Sequence, residues 1–432
     1  MKSNLQIIFL LIVSCIVQLS CSNDDDSSSS NEGNIPDPVF EQALIDLGYD
    51  DVLDGSILIS NVSNVTVLEI PDYDFDDTSN DITDLTGIEY FTSLKKLNCE
   101  GQSLTNLDLS NNLDLMDLNC SYSRFNSLES LDVSQNTRLE ILRCHANNLT
   151  SLDVSNNSDL LELFTYDNPQ LITLDVSNNQ QLKTLWCYNN SLTSIDLSNN
   201  LELEALDCRF VNLNSIDISN NSKLKELLLW GTQIDFLDVN NNPELKTLSC
   251  LDCQLSDIDV SQNLNLKNLG LGGNQLTTLD VSNNTVLEGL AIDSNQISNI
   301  DVSNNPNLNL LSFSFNPITN IDLSNNSLLY YIACNSVSLV ALDVSNCNSL
   351  NWLECNNNSL SNLELGNINS LVFLEVANNQ LTSLDLSNQT NLNTMDCTSN
   401  NLTCIQVNTT QLNDIPDSWN KDISASYALD CN

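Results

Sequence analysis

Positive charge is scarce in this sequence of 432 residues: 13 Lys and Arg stand against 57 Asp and Glu, and the formal net charge is -44 at pH 7. Binding of nucleic acid needs clustered Lys and Arg along the phosphates. The composition therefore excludes nucleic acid as an expected partner and disfavours docking on anionic lipid. Basic partners and metal cations stay electrostatically possible.

Residues and motifs typical of enzymes are also missing. The single histidine, His145, occupies an outward place of a predicted strand and is interpreted as a surface residue. The Asp and Ser residues that might complete a triad with it are explained by the repeat described below. No Gly-rich phosphate loop, HExxH helix or nucleophile elbow occurs. We expect no catalytic residue, no cofactor and no metal, and we predict that the protein is not an enzyme.

The chain begins with an apolar run, Leu5 to Val17, which is too short to span a membrane as a helix and fits a secretory signal. It ends in Gln18-Leu19-Ser20-Cys21, which resembles a bacterial lipoprotein cleavage site with Cys21 lipidated. Ile12-Val13-Ser14-Cys15 is a rival site that leaves a very short apolar core. The acidic run after Cys21 resembles the signal that directs Bacteroidetes lipoproteins to the outer surface.

We therefore predict a signal peptide over residues 1–20 and an acidic, Ser-rich flexible tether over 21–34. The predicted location is the extracellular side of the outer membrane, where a lipid at Cys21 anchors the chain.

Self-alignment reveals a unit of the form LxxLxCxxNxLxxLDVSNNxx. From Leu182 onward every step is 21 residues, and small insertions lie near Phe125 and Pro169. The fifteen units begin at Leu94, Leu115, Leu139, Leu160, Leu182, Leu203, Leu224, Leu245, Leu266, Leu287, Leu308, Leu329, Leu350, Leu371 and Leu392.

The unit predicts one short strand in each repeat. In the last three residues of LxxLxC the side chains alternate, so that Leu185 and Cys187 point to one side and Trp186 to the other. Each unit is too small to bury its own leucines, whereas stacked units share one apolar core and one long parallel sheet. The Asn that usually fills the ninth place, as at Asn190, is expected to satisfy backbone groups where each strand turns.

This pattern is that of a leucine-rich repeat, and the 21-residue unit with a core Cys resembles the family that includes internalin J and repeat proteins of Bacteroidetes. The resemblance covers Ile35 to Asn432 and implies a curved solenoid that binds host or surface molecules and is not an enzyme. The predicted fold class is an α/β-type repeat solenoid, with a long parallel sheet on the concave face, an irregular convex side and little helix.

Caps are expected at both ends, because a solenoid must cover its terminal units. We predict an N-terminal cap over 35–93 with a short helix opened by Asp37-Pro38, fifteen repeats over 94–402, and a C-terminal cap over 403–432. Cys404 and Cys431 are interpreted as a disulfide that closes the C-terminal cap, since two free thiols are less expected in an exported protein.

The sixth place of the unit carries a ladder of nine cysteines: Cys99, Cys120, Cys144, Cys187, Cys208, Cys250, Cys334, Cys355 and Cys397. Other units have Leu, Ile, Phe, Val or Thr there, as a small buried hydrophobe would allow. A zinc site needs converging thiolates, whereas stacking places them in a line. Bridges between neighbouring rungs would have poor geometry because the side chains point the same way. Packing is the favoured interpretation, ahead of metal or redox chemistry.

The Asp of LDVSNN forms a second regular row, from Asp108 to Asp385, with like charges about 5 Å apart. Two explanations are considered: Asx-type hydrogen bonds to turn N–H groups, and calcium bound along the row. The unit lacks the GGxGxDx calcium pattern, and we favour the hydrogen bonds.

Solvent-facing places 2, 3, 5, 7 and 8 of the unit depart from repetition and carry aromatic and basic residues. Eight Lys and Arg lie there beside fourteen acids, so that this face is far less acidic than the remainder. Exposed aromatics with Arg mark interfaces. The candidate ligand-binding residues are Arg143, His145, Phe164, Tyr166, Trp186, Tyr188, Arg209, Phe210, Trp230, Tyr331, Trp352 and Phe373; Phe315 and Tyr330 lie nearby.

We expect this face to bind an extracellular protein or glycan in an adhesin-like way, and the chain to act as a monomer. A stripe of Trp and Tyr leans towards glycan stacking. A polysaccharide-capturing protein of a nutrient-uptake system and a purely structural surface protein are the alternatives.

Overall fold

The structure is a computed structural model, and residues 31–70, 81–122 and 128–431 are described. The predicted signal peptide, Cys21 and the tether up to residue 30 lie outside the described residues. Within the three described ranges, no helix combines the length and apolar character needed to cross a bilayer.

Short strands dominate the fold because each unit contributes only three residues, centred on the second Leu of LxxLxC. The strands are β1 Glu32–Asn34, β2 Ser56–Leu58, β3 Val67–Glu69, β4 Lys96–Asn98, β5 Asp117–Asn119, β6 Ile141–Arg143, β7 Glu162–Phe164, β8 Thr184–Trp186, β9 Ala205–Asp207, β10 Glu226–Leu228, β11 Thr247–Ser249, β12 Asn268–Gly270, β13 Gly289–Ala291, β14 Leu310–Ser312, β15 Tyr331–Ala333, β16 Ala341–Asp343, β17 Trp352–Glu354, β18 Asn362–Glu364, β19 Phe373–Glu375, β20 Leu384–Asp385, β21 Thr394–Asp396, β22 Cys404–Gln406, β23 Trp419–Asn420 and β24 Ser426–Ala428. The helices are α1 Pro38–Asp46, α2 Ile59–Val62 and α3 Thr409–Asn413, with a 3-10 helix at Ile88–Tyr90.

One long parallel sheet runs along the molecule. β3 to β15 pair in chain order, and the sheet continues through β17, β19, β21 and β23. Among the described residues β3 pairs only with β4 and β23 only with β21, so this sheet is open. Equivalent residues of neighbouring repeats stand opposite each other in the sheet, as Leu185 does with Leu206. The predicted fold class, a parallel-sheet solenoid with little helix, is confirmed.

Two smaller parallel groups, β16–β18 and β20–β22–β24, lie outside the main sheet. Bridges between Asp108, Asp132, Asp153 and Asp175 belong to the same side of the solenoid.

The core is the stack of leucines and ladder cysteines that the alternation predicts. Leu182, Leu185 and Cys187 are all fully buried, and the pattern recurs in every unit. Burial of one such leucine stabilises the fold by about 1.5–3 kcal/mol. The stack, rather than any single contact, therefore holds the units together.

The ninth-place Asn acts as predicted. The Asn147 amide nitrogen donates to the Cys120 and Cys144 carbonyls at 3.0 and 3.2 Å, and its oxygen accepts from Leu128 N at 3.1 Å. A second ladder, at the last Asn of LDVSNN, is not anticipated from the sequence. Asn157, for example, is fully buried and donates to the carbonyls of Val133 and Asn136 at 3.0 and 2.8 Å. Each turn is thus tied to the unit before it.

The N-terminal segment begins the structure earlier than predicted. α1 starts at Pro38 as expected, with the Asp37 carboxylate accepting from Val39 N and Phe40 N at 2.9 and 3.2 Å. The flexible tether predicted to extend through residue 34 is wrong for its last residues, because β1 pairs antiparallel with β2. That pairing satisfies backbone groups that a tether would leave to water.

At the other end, Cys404 and Cys431 form a disulfide with a Cα–Cα distance of 5.7 Å. Cys404 begins β22, which pairs with both β20 and β24. The disulfide therefore joins the end of the chain to the last strands of the solenoid.

Candidate ligand-binding face

The concave face of the main sheet carries the predicted binding residues in two groups, separated by units with small side chains such as Gly270 and Gly272. We call the first group the N-terminal patch, made of Tyr122, Arg143, His145, Phe164, Tyr166, Trp186, Tyr188, Asp207, Arg209, Phe210 and Trp230. The second group is the C-terminal patch, made of Tyr331, Asn335, Trp352, Glu354, Asn356, Phe373 and Glu375.

The N-terminal patch is built on register. Arg143, Phe164 and Trp186 end consecutive strands and stand opposite one another. The Phe164 and Trp186 rings meet edge to face, with centroids 5.0 Å apart. The Trp186 side chain is 36% exposed, so that an indole lies at the surface of a row fixed by the sheet.

Two places further along each unit, a second row stacks along the solenoid. His145 stacks on Tyr166 at 4.0 Å, and Tyr166 on Tyr188 at 4.3 Å, with interplanar angles of 19° and 10°. The Arg209 guanidinium lies 5.0 Å from the Tyr188 ring centroid. The faces of these rings are therefore covered by one another.

His145 differs from the sequence interpretation. It lies on the concave side, but it is only 7% exposed because Tyr122 and Tyr166 enclose it. Desolvation, with a smaller contribution from the Arg143 charge, lowers the pKa of His145 to about 4. The prediction of a surface histidine is wrong, since the aromatic side chains that bury it come from neighbouring units.

Both arginines of this patch are neutralised by carboxylates. The Arg209 guanidinium binds Asp207 through Nε and Nη2, at 2.9 Å to Oδ1 and 2.7 Å to Oδ2. Arg143 pairs with Asp117 at 2.8 Å and lies 3.8 Å from Glu162. The hydrogen bonds to Asp207 raise the pKa of Arg209 further. The charges of the two arginines are therefore balanced locally.

Strained backbone accompanies the aromatic residues at the eighth place of the unit. Phe210 has φ of 53° and Tyr122 of 55°, the left-handed region that favours Gly and Asn. Phe210 packs on Trp230 with centroids 5.3 Å apart, and a Cβ on Gly231 would come within 2.7 Å of the Phe210 ring. Trp230 Nε1 donates to Asp252 at 2.9 Å. Tyr122 was not predicted, although the aromatic at this place of its unit is a usable signal.

The C-terminal patch has three parallel rows: an aromatic row, an acidic row and an amide row made of Asn335 and Asn356. The aromatic row is Tyr331, Trp352 and Phe373, with Trp352 and Phe373 stacked at 3.7 Å. In the acidic row, Glu354 and Glu375 stand opposite each other on neighbouring strands. These acids were not predicted as site residues, although their 21-residue spacing places them in register.

Neutral groups position the two acids. Glu354 accepts from Trp352 Nε1 at 2.7 Å and from Asn335 Nδ2 at 3.0 Å. Glu375 accepts from Asn356 Nδ2 at 2.6 Å. Desolvation, together with the Glu354 charge, raises the pKa of Tyr331 to about 12. The carboxylates are thus oriented without a cation.

Away from the main sheet, an open groove of about 660 Å³ follows the Asp row between Asp153 and Asp196. Its aspartates have a structural role, because Asp153 Oδ1 accepts from Ser155 N at 2.9 Å, as predicted, and the same bond recurs along the row. Hydrogen bonds from Ser155 lower the pKa of Asp153. In the described part of the chain, no three His, Cys, Asp or Glu side chains form a group that could hold a metal.

The ladder cysteines are buried and free. Burial raises the pKa of Cys120 to about 12 and also raises that of Cys144. The Cys187 and Cys208 sulfurs approach to 3.2 Å, so neighbouring rungs can exchange a thiol hydrogen bond. High pKa and burial both suppress thiolate chemistry, which agrees with a packing role.

No protein-family model matches the chain, and no curated protein sequence does. Among solved structures, it is similar to the functional domain of InlJ from Listeria monocytogenes, described as including a cysteine ladder. The two share 31% identity with a TM-score of 0.73, over 87% of this chain and 77% of that chain.

The chain belongs to the internalin J family of leucine-rich repeat proteins. This internalin J-type solenoid is also similar to the leucine-rich repeat protein LIC12759 of Leptospira interrogans, with 23% identity, a TM-score of 0.73, and coverage of 84% of this chain and 97% of that chain. Internalin InlF of Listeria monocytogenes gives 21% identity, a TM-score of 0.62, and coverage of 84% and 95%. At these lower identities the likeness is one of fold.

Proposed function

We propose that this internalin J-type solenoid is a cell-surface, adhesin-like binding protein that recognises an extracellular protein through its concave face. The observation that carries the proposal is the N-terminal patch. Its aromatic rings and arginines are fixed by register, stacking and ion pairs before any ligand arrives. Preorganised side chains lose little conformational entropy on binding, and Trp, Tyr and Arg dominate interface energetics.

Ring orientation favours a protein over a glycan. Stacking of a sugar needs an open aromatic face, but the Tyr166 ring is covered by His145 on one side and Tyr188 on the other. Desolvation, with smaller contributions from the neighbouring Tyr188 and Tyr122, raises the pKa of Tyr166. Edges and hydroxyls of this kind suit hydrogen bonds to a peptide surface. The exposed indole of Trp186 keeps polysaccharide capture as a second candidate.

The test is an array of purified extracellular host proteins and glycans, probed with the chain spanning residues 35–432. The Trp186→Ala, Tyr188→Ala and Trp230→Ala triple variant is expected to bind at least about tenfold more weakly, because aromatic anchors carry most of the energy. Phe236→Ala is the matched control, since Phe236 is a 71% exposed aromatic beside the Asp row.

Thermal melting of each variant shows whether the fold is retained. Unchanged binding by the folded triple variant contradicts the proposed site. A response to glycans alone favours polysaccharide capture, and the absence of any ligand favours a purely structural surface protein.

For the location, we propose an outer-membrane lipoprotein anchored through Cys21, supported by Gln18-Leu19-Ser20-Cys21 and the acidic run after it. Cys21→Ser is expected to abolish labelling with an alkyne-tagged fatty acid in cells, whereas Cys15→Ser retains it. The reverse result assigns the lipid to the rival site. If both variants keep the label, lipidation at Cys21 is contradicted.

A further inference from the structure

The C-terminal patch combines an aromatic row with an acidic row on one face of the sheet. Tyr331, Trp352 and Phe373 occupy the third place of consecutive units, and Glu354, Glu375 and Asp396 the fifth. Because parallel strands are spaced by about 4.8 Å, three carboxylates lie in a row beside the stacked rings. Like charges at this spacing repel each other unless a cation lies near them.

The repeats that form this row contain no Lys or Arg. The sequence contains no Lys or Arg between Lys267 and Lys421. Within the described ranges, no ion pair involves Glu354 or Glu375, whereas other acids of the same face are paired: Glu204 with Lys225 and Glu288 with Lys267, each at 2.6 Å. The negative charge of the C-terminal patch is therefore left for a partner.

The side chains around the acids keep them at the surface in fixed positions. Trp352 Nε1 and Asn335 Nδ2 hold Glu354, and Asn356 Nδ2 holds Glu375. The amide row is itself tied down, since the Asn335 and Asn356 oxygens accept from Asn356 N and Ala377 N, both at 2.7 Å. All these donors are neutral, so they orient the carboxylates without offsetting their charge.

We propose that the C-terminal patch docks an extended protein segment bearing Lys or Arg. The carboxylate row meets the charged heads, and the faces and edges of the Trp352–Phe373 stack meet the aliphatic stems and the cations. Units twelve to fifteen extend over about 14 Å, the reach of about four extended residues. The inference rests on the proposed role of the concave face as a binding surface, and it adds the chemistry of a second partner segment.

The probe is an N-acetylated, fluorescent hexa-arginine peptide, and the measurement is anisotropy with the chain spanning 35–432 in 0.15 M salt. Glu354→Gln with Glu375→Gln removes two charges and is expected to weaken binding about tenfold or more. The matched control is Glu204→Gln with Glu288→Gln, which removes the same charge from the same face and is expected to change affinity less than about twofold. Trp352→Leu keeps an apolar side chain at this place, removes the indole and is expected to weaken binding about threefold.

Three results with these variants overturn the inference. Equal weakening in both Gln pairs means general attraction to an acidic chain, and no weakening in either pair means that the patch does not bind. If Ca²⁺ displaces the peptide and raises the melting temperature of wild type but not of the Glu354→Gln and Glu375→Gln variant, the patch is a cation site instead. Melting of each variant checks its folding, and Glu375→Gln alone decides the question if the double variant unfolds.

The experiment is separable from the test of the proposed function. Trp186→Ala with Tyr188→Ala leaves the C-terminal patch intact and is expected to bind hexa-arginine like wild type. If the array finds no ligand, the peptide measurement still tests the C-terminal patch. If the Trp186→Ala and Tyr188→Ala variant no longer binds the peptide, the N-terminal patch is the peptide-binding site.

Discussion

The N-terminal and C-terminal patches use the same places of the same repeat, yet they treat charge in opposite ways. In the first, Asp207 meets the guanidinium of Arg209 at 2.7 Å. In the second, Glu354 and Glu375 meet only neutral donors. The contrast teaches that the scaffold sets where a side chain stands, while the residue chosen in each unit sets what that position attracts.

The largest expected difference between the patches concerns the Asp207–Arg209 pair. The Asp207 side chain is 3% exposed, so Asp207→Ala leaves a half-buried guanidinium without its partner. We expect the free energy of unfolding to fall by about 2–3 kcal/mol. Glu375→Ala, which removes one neutral hydrogen bond, should cost about 1 kcal/mol or less. Denaturant unfolding measures both, and equal losses would remove the distinction between the patches.

A smaller effect concerns pH and is confined to the N-terminal patch. The folded pKa of His145, about 4, lies below the ordinary value of 6.5, so the unfolded chain takes up the proton first as pH falls. His145 therefore lowers stability progressively from pH 6.5 towards pH 4, by about 1–2 kcal/mol at pH 5. His145→Gln should remove this loss. The check is the change in unfolding free energy between pH 7 and pH 5 in each protein; the same change in both would contradict a buried neutral imidazole.

The smallest expected effect compares the strained aromatics at the eighth place. Phe315 has φ of 56° and is 59% exposed, whereas Phe210 packs on Trp230. Asn accepts this conformation, as at Asn189 with φ of 52°. Phe315→Asn should raise the free energy of unfolding by about 1 kcal/mol. Phe210→Asn should gain less because it loses the ring contact; destabilisation by Phe315→Asn would show that its ring is held by packing.

The repeat made the scaffold predictable. Alternation alone assigns Leu185 and Cys187 to the core and Trp186 to the surface, and the 21-residue period sets which residues stand side by side. The burial of His145 was not predictable in the same way, because it depends on how rings from two other units stack. The paired state of Arg209 and the unpaired state of Glu354 depend likewise on rotamers and neighbours. The β1–β2 pairing was missed because Glu32–Asn34 has no apolar pattern of its own.

The most direct test of the account is the affinity of an array-identified protein ligand for three forms of the chain: wild type, the Trp186→Ala and Tyr188→Ala variant, and Phe236→Ala. We predict that the first variant binds at least about tenfold more weakly with its melting temperature retained, while Phe236→Ala binds like wild type. Equal affinities in all three, or a greater loss in Phe236→Ala, would contradict the concave face as the binding surface.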